Sequence, residues 1–290
     1  MLNIILTILE PAAIYLPLLL GAYCAFSLLK VPYLAIESAF VFGALLASHI
    51  MFLKMPILVI LILSILTAML AGAIVGLVTF AVKYYAKVSF LLASIISIGF
   101  FHGINQFVIH GSHVSLGMNN LLSIIPSTRE YPHLATLLVI SSIIICVFYF
   151  FIKSQIGTSC AIYGNNPHFF EHYNISANYV CIIGILLSSS LAGLSGFLSA
   201  YNNGFADISM GFGINLLCIT ALVLGKTFIS KKYSFIIPCI GILIYLIIQQ
   251  FLLKINFDSQ YFSTVQAIVV FLLLAFTQKL AKGKRYELGL

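Results

Sequence analysis

The stretch KSQIGTSCAIYGNNPHFFEHYNISAN, residues 153–178, decides the fold because it is a polar island between two long apolar segments. A connection of 26 residues is longer than a simple turn needs, so we expect it to carry structure of its own. Asn166 is placed to cap a short helix that begins at Pro167, since proline is favoured at the first helical position. A short helix beside an apolar bundle is typical of a surface that binds a soluble partner.

The rest of the chain has the composition of an integral membrane protein. Of its 290 residues, 62% are hydrophobic and 7% are charged, and the mean hydropathy is +1.14. A soluble domain carries about 25% charged residues. The apolar runs are about 20 residues long, the length of a helix that spans a hydrocarbon core, whereas barrel strands would alternate over about 10 residues. The sequence therefore predicts an all-α polytopic membrane protein, with residues 1–290 forming a single transmembrane domain.

Nine apolar segments are candidate membrane spans, and we expect eight to ten crossings. They cover residues 11–29, 33–53, 56–82, 88–109, 134–152, 179–200, 212–229, 234–253 and 262–280. Glu10 and Pro11 interrupt the first apolar stretch, so its beginning is open. Glu37 lies inside the second segment, which is therefore either a full crossing or a re-entrant one. The uncertain count also leaves the side of the N-terminus open.

The distribution of Lys and Arg predicts the orientation of the spans, because cytoplasmic loops are rich in both residues. If residues 153–178 are cytoplasmic, eleven of these residues lie inside and three lie outside. The inner group is Lys30, Lys83, Lys87, Lys153, Lys226, Lys231, Lys232, Lys279, Lys282, Lys284 and Arg285, and the outer group is Lys54, Arg129 and Lys254. The C-terminus is then cytoplasmic. The net charge of +7 follows this pattern, so we expect no nucleic-acid partner.

Enzyme and metal chemistry find little support in the sequence. The six cysteines form no CxxC pair and lie mostly in apolar runs, which indicates packing. The histidines of residues 110–133 lack a compact ligand spacing, so no metal site is expected. Gly225-Lys226-Thr227 resembles the end of a phosphate-binding loop, but Thr220 stands where the first glycine is required. The chain therefore has no expected cofactor or ATP site of its own.

Polar residues inside the apolar segments are candidates for a solute path. An ionisable residue at bilayer depth costs about 2.5–3.5 kcal/mol and usually marks a pathway or a buried pair. Glu37 is the clearest case, and His102, Asn105 and Gln106 are predicted to share one helix face. Either interhelical hydrogen bonding or a path would explain them.

Small residues at helical spacing predict close packing between helices. They are Gly72 and Gly76 in one segment, and Ser188, Ala192, Gly196 and Ala200 in another. Beyond this second segment lie Asn202, Asn203 and Asp207, which would order a turn, dock a partner or shape an outer gate.

Three blocks of the sequence carry a family resemblance. They are VPYLAIESAFVFGA (31–44), IGTSCAIYGNNP (156–167) and LAGLSGFLSAYNNGFADISMG (191–211). Together they resemble bacterial ABC-transporter permeases of the branched-chain amino acid type, and within them the branch encoded beside tryptophan/tyrosine-type binding proteins. The third block is the most specific, because hydrophobicity does not explain its GFAD-x-x-MG pattern. Glu37 and Ser38 depart from the Asp and Gly that this branch usually has, and Cys160-Ala161-Ile162 replaces a basic step.

The resemblance implies a type II-like ABC importer permease in the bacterial inner membrane. Two copies of the chain would form the solute pathway at their interface, and a periplasmic or lipid-anchored binding protein would deliver the solute. A separate cytoplasmic ATPase would hold ATP and Mg²⁺. The loop 153–178 would couple to that ATPase through Gly164, Asn165, Asn166, Pro167, His168, Phe169, Phe170 and Glu171.

The substrate implied by the resemblance is a small polar solute, an amino acid and in the narrower reading an aromatic one. An alternative stays open at this point. The chain could be a self-sufficient secondary transporter or channel that uses Glu37 as a proton or cation site.

Overall fold

The computed structural model describes residues 2–53, 56–109, 111, 113–116, 133–173, 176–229, 235–255, 262, 264–269 and 271–272, except for the side chains of residues 2–4 and 171–173. The helices are α1 (Leu2–Tyr23), α2 (Ile36–Ile50), α3 (Ile57–Ala86), α4 (Phe90–Ile109), α5 (Leu134–Lys153), α6 (Gln155–Asn165), α7 (Ala177–Asn203), α8 (Ile214–Phe228) and α9 (Ile236–Lys254). A π-helical turn, Cys24–Leu28, continues α1, and 3-10 helices cover Pro167–Tyr173 and Ile208–Gly211. Residues 264–269 are helical as well.

The predicted helical membrane architecture is confirmed. Seven helical segments of the described chain are long and apolar enough to cross a membrane: Ile5–Leu28, Ile57–Ala86, Phe90–Ile109, Leu134–Lys153, Ala177–Asn203, Ile208–Phe228 and Ile236–Lys254. The predicted start of the first span at residue 11 was wrong, because α1 continues through Pro11 and Pro17. Most of the predicted span 262–280 lies outside the described residues.

The second predicted span, 33–53, is a short helix rather than a full-length one. Its helical part, α2, has 15 residues and is therefore about 22 Å long. That length falls short of a hydrocarbon core of roughly 30 Å. Residues 29–35 form an irregular segment that leads from the end of α1 into α2. Lys30 and Lys83 both contact the region of residues 165–178, and α3 begins 26 residues before Lys83, so the chain from Lys30 to Ile57 runs from one end of the bundle to the other. The segment is therefore a crossing made of an irregular stretch and a short helix, rather than a re-entrant one.

Helix α7 is the centre of the bundle, and α1, α2 and α3 pack around it. A Cβ atom added at Gly196 would lie 1.9 Å from the carbonyl oxygen of Phe40, and one at Gly72 would lie 2.1 Å from that of Ser189. Backbones at this distance leave no room for a side chain. The small-residue stripes predicted to pack helices together therefore do so, as small residues do in membrane bundles.

Contacts between distant segments sort the bundle into two ends. At one end, Lys30 Nζ donates to Asn165 Oδ1 at 2.8 Å, and Lys83 Nζ donates to Asn178 Oδ1 at 3.4 Å. At the other end, the strands β1 (Val114–Ser115) and β2 (Phe205–Ala206) pair antiparallel. We call these the lysine end and the strand end. Their composition agrees with the Lys-based orientation, in which residues 153–178 share a side with Lys30 and Lys83.

Candidate functional site

A cavity of about 70 Å³ lies near the strand end, between α2, α4 and the segment that joins α7 to α8. Its walls are Glu37, Ser38, Val41, Ile98, His102, Asn105, Ile208, Gly211 and Phe212. Three of the four predicted path residues, Glu37, His102 and Asn105, therefore meet around one space. A mostly apolar cavity with a few polar groups is the arrangement expected of a solute site.

Glu37 connects the beginnings of two helices. It lies half-buried in the first turn of α2, and its Oε1 accepts a hydrogen bond of 3.2 Å from the backbone N–H of Asn215 in the first turn of α8. The side chain of Asn215 in turn donates to the carbonyl oxygen of Leu34 at 2.8 Å. Negative charge is favourable at helix N-termini, where backbone N–H groups are unpaired. One carboxylate oxygen thus joins α2 to α8.

The polar residues of α4 do not all share one environment. Asn105 is 2% exposed and its Oδ1 has no hydrogen-bond partner among the described residues, whereas His102 and Gln106 are exposed. Gln106 does not line the cavity, since it lies about 100° around the helix from Asn105. The prediction that Gln106 faces the same space as the other path residues is therefore not supported by its position.

The sequence GFADISMG forms one wall of the cavity and explains why this motif is so specific. Gly204 ends α7 with a φ of +77°, a conformation that favours glycine. Phe205 and Ala206 pair with β1, and Asp207 begins the 3-10 helix that leads to Gly211. A Cβ atom at Gly211 would lie 2.7 Å from Val41 Cγ2 on α2. The motif thus brings the chain back from the end of α7 to the cavity.

The candidate outer-gate residues lie on this same return segment. Asp207 accepts a hydrogen bond from Ser209 Oγ, so it orders the turn, which is one of its predicted roles. Asn203 is exposed and Asn202 is half-buried, and neither lines the cavity. A gating or docking role of Asn202, Asn203 and Asp207 stays a prediction.

The polar island contains two helices where one was predicted. The predicted short helix is present as the 3-10 helix Pro167–Tyr173, with Asn166 Oδ1 accepting from the backbone N–H of His168 at 3.2 Å. Helix α6 precedes it and was missed. It begins at Ser154, whose Oγ accepts from the backbone N–H of Gly157 at 3.3 Å. This serine cap was the signal that the sequence offered.

The predicted coupling residues form a surface that is fixed at its base. A Cβ atom at Gly164 would lie 2.0 Å from the carbonyl oxygen of Leu28, so α6 rests directly on the backbone that follows α1. Asn165 adds the hydrogen bond from Lys30. Asn166, Pro167, His168 and Phe169 are exposed, whereas Phe170 is buried; the side chain of Glu171 lies outside the described residues. The geometry thus combines a rigid base with an exposed surface of about one helical turn.

A buried cluster lies beneath this surface, where α6 meets the end of α1 and the beginning of α7. It contains Cys24, Cys160 and Cys181, all fully buried and free of disulfides. Burial raises the pKa of the nearby Tyr163 hydroxyl. Within the described residues, no group of three or more His, Cys, Asp or Glu is arranged to hold a metal ion. The buried thiols pack the base of α6, as the sequence predicted.

Comparison with known proteins identifies relatives along almost the whole chain. The family model described as the permease component of the branched-chain amino acid transport system matches residues 4–274. An uncharacterized protein of Rickettsia prowazekii (strain Madrid E) is 32% identical over 282 residues, covering 94% of this chain and 97% of that protein. The tyrosine transport system permease protein of Clostridioides difficile (strain R20291) is 26% identical over 283 residues, covering 93% of this chain and 90% of that protein. No solved structure is significantly similar.

Proposed function

This chain belongs to the family of permease components of branched-chain amino acid transport systems, and from that premise we propose that it is the membrane-spanning subunit of an ATP-driven amino acid importer. The observation that carries the proposal is the exposed surface of residues 166–169 on a base fixed by Gly164 and Asn165. A surface that transmits force from a soluble partner needs a rigid connection to the spans. Here the connection runs through α6 to the end of α1.

The solute path of this importer would include the cavity at the strand end. Glu37, His102 and Asn105 provide polar groups there, and the return segment exposes the ring of Phe212 at the same cavity. An exposed aromatic ring beside polar groups fits an aromatic amino acid, because one end of such a solute is apolar and the other is charged. A relative named as a tyrosine transport permease supports the same substrate class.

The two ends of the bundle would bind different partners. A cytoplasmic ATPase carrying ATP and Mg²⁺ would bind residues 164–171, and a second copy of the chain would complete the pathway. A periplasmic or lipid-anchored binding protein would deliver the amino acid at the strand end, where Asn202, Asn203 and Asp207 lie. The chain would then lie in the bacterial inner membrane with its C-terminus in the cytoplasm.

The test is purification of the tagged chain from its native membrane in mild detergent, followed by identification of the bound proteins. An ATPase subunit is expected to co-purify, and deletion of residues 166–173 is expected to abolish its binding. The substitution Phe169→Ala tests the same surface with less disturbance. The matched control is Phe212→Ala, which removes an exposed ring at the opposite end and should retain the ATPase.

Two results would contradict this proposal. One is a chain that carries no ATPase under several gentle conditions yet transports solute in liposomes, with a pH dependence that Glu37→Gln abolishes. That outcome identifies a secondary transporter instead. The other is full ATPase binding after the deletion, which would separate the coupling function from residues 166–173.

A further inference from the structure

The groups around Glu37 present hydrogen-bond acceptors that lack donors. Oδ1 of Asn105, which lines the cavity, is buried and has no partner among the described residues, and the same holds for Oδ1 of Asn215, whose backbone N–H binds Glu37. The side-chain nitrogen of Asn215 donates a hydrogen bond to the carbonyl oxygen of Leu34, and this bond fixes the orientation of the amide. Buried acceptors that remain unpaired are costly, so they usually belong to a site that a ligand or water completes.

The carboxylate of Glu37 also has acceptor positions that no donor of the described residues occupies. Oε1 accepts from the backbone N–H of Asn215, and no Lys or Arg of the described chain pairs with this side chain. An ionised carboxylate offers about four acceptor positions, of which this one hydrogen bond occupies a single position. The unused positions lie on a residue that lines the cavity. A carboxyl group at this depth that no Lys or Arg of the described residues neutralises is a favourable place for a cationic group of a solute.

The chemistry that fits these acceptors is a small cation rich in N–H groups. A primary ammonium carries one positive charge and three donors, which can satisfy the carboxylate and an amide oxygen together. The cavity of about 70 Å³ has room for a group of this size, since one water needs about 10–15 Å³ by the same measure. Phe212 is 80% exposed at the edge of the cavity and offers a ring face to the apolar part of a solute.

We infer that the cavity between Glu37 and Asn105 is a subsite for the primary ammonium group of the transported solute. This inference rests on the proposed importer function and names the part of the permease that recognises the solute after delivery. Glu37 supplies the charge, Asn105 supplies a neutral acceptor, and Phe212 contacts the side chain of the solute. The subsite therefore prefers solutes that carry an ammonium group over analogues that lack one.

The test measures binding directly, without the ATPase or the binding protein. The chain contains no tryptophan, so Phe212→Trp introduces a single indole at the cavity. This full-length variant in lipid nanodiscs is titrated with phenethylamine, which carries the ammonium, and with phenylpropionate, which has the same ring but a carboxylate. Indole fluorescence should respond to phenethylamine and not to phenylpropionate at the same concentrations.

Substitution of the acceptors then assigns the response. Glu37→Gln keeps an oxygen for the N–H of Asn215 but loses the charge, and it should weaken phenethylamine binding at least about tenfold. Asn105→Leu keeps the volume and removes the neutral acceptor, and a weaker but measurable loss is expected. The matched control is Glu10→Gln, the same change at a half-buried glutamate of α1 that does not line the cavity. Unchanged elution as a single species and unchanged emission without ligand establish that a variant is folded.

Three outcomes would overturn the inference. Equal responses to both probes would show that the ring alone is recognised, and no response to either would leave the cavity to water. A response to sodium chloride in place of choline chloride would identify an inorganic cation site. The assay omits ATP, so it tests the subsite separately from the importer function. A chain that binds phenethylamine but does not transport solute with an ATPase would contradict the importer function alone. An importer that binds both probes equally would contradict the subsite alone.

Discussion

At the lysine end, Gly164 places α6 directly on the backbone of Leu28, whereas at the strand end the residues around Glu37 line an open cavity. The first region joins two segments with almost no compliance, because no side chain lies between them. The second region keeps buried oxygens unpaired and a carboxylate partly unused. The difference suits a protein that receives force at one end and handles a solute at the other.

The substitution Phe101→Ala tests how much the packed rings behind the Glu37 cavity stabilise the bundle. This ring is 1% exposed and lies 5.1 Å from the ring of Phe42. Phe101→Ala should destabilise the bundle by about 2–3 kcal/mol, mostly through the cavity that it leaves, because an unfolded helix in lipid still contacts hydrocarbon. Thermal unfolding in detergent measures the loss. The neighbouring Phe100→Ala, at a ring that is 55% exposed, should change the midpoint far less; equal losses would show that burial does not distinguish these rings.

Gly164 tests the rigid contact at the lysine end. A methyl group there cannot fit 2.0 Å from the carbonyl oxygen of Leu28, so Gly164→Ala should displace α6 at a cost of about 1–2 kcal/mol. We expect a lower thermal midpoint together with reduced ATPase binding in the pull-down. At Gly111 a Cβ atom would meet nothing closer than 3.9 Å, so Gly111→Ala is the matched control. Normal ATPase binding by Gly164→Ala would mean that the close approach is dispensable for coupling.

His133 should make the stability of the strand end depend on pH, and this is the smallest of the three expected effects. Burial lowers the pKa of His133 below its ordinary 6.5, and its ring lies 5.4 Å from that of Tyr201 at the strand end. The folded state therefore favours the neutral ring, so this contribution to stability is complete above pH 6.5 and is lost as the pH falls through 6.5 towards the lower folded pKa. The thermal midpoint should decline over that window, and His133→Phe should flatten the decline. His168→Phe, at an exposed residue of the opposite end, should not.

The spans could be predicted because a long apolar run has few alternatives to a membrane helix. The predicted 56–82 and 134–152 became Ile57–Ala86 and Leu134–Lys153 with small shifts at their ends. Helix α6 could not be predicted in the same way. It is polar and contains Gly157 and Gly164, so its helical state depends on the Ser154 cap and on packing against α7 and the π-helical turn that continues α1.

The candidate site was predicted in part for a related reason. Charge and polarity identified Glu37 and Asn105, because such residues are rare in apolar segments. Asn215 and Phe212 were missed, since their approach to Glu37 depends on how α2 and α8 meet across 178 positions of sequence. The family motif located the return segment without revealing that it forms a wall of the cavity.

The central position of α7 has a consequence for the biosynthesis of the protein. Its partners α1, α2 and α3 are made first, and the hydrogen bond between Tyr33 and Ser189 joins residues 156 positions apart. At about 5–20 residues per second, a ribosome needs roughly 8–30 s to make that interval. During this time the glycine faces of the early helices border lipid without their partner. The early helices can pack against one another through the contacts of α2 with α3 and α4, but the bundle closes around its centre only when α7 emerges.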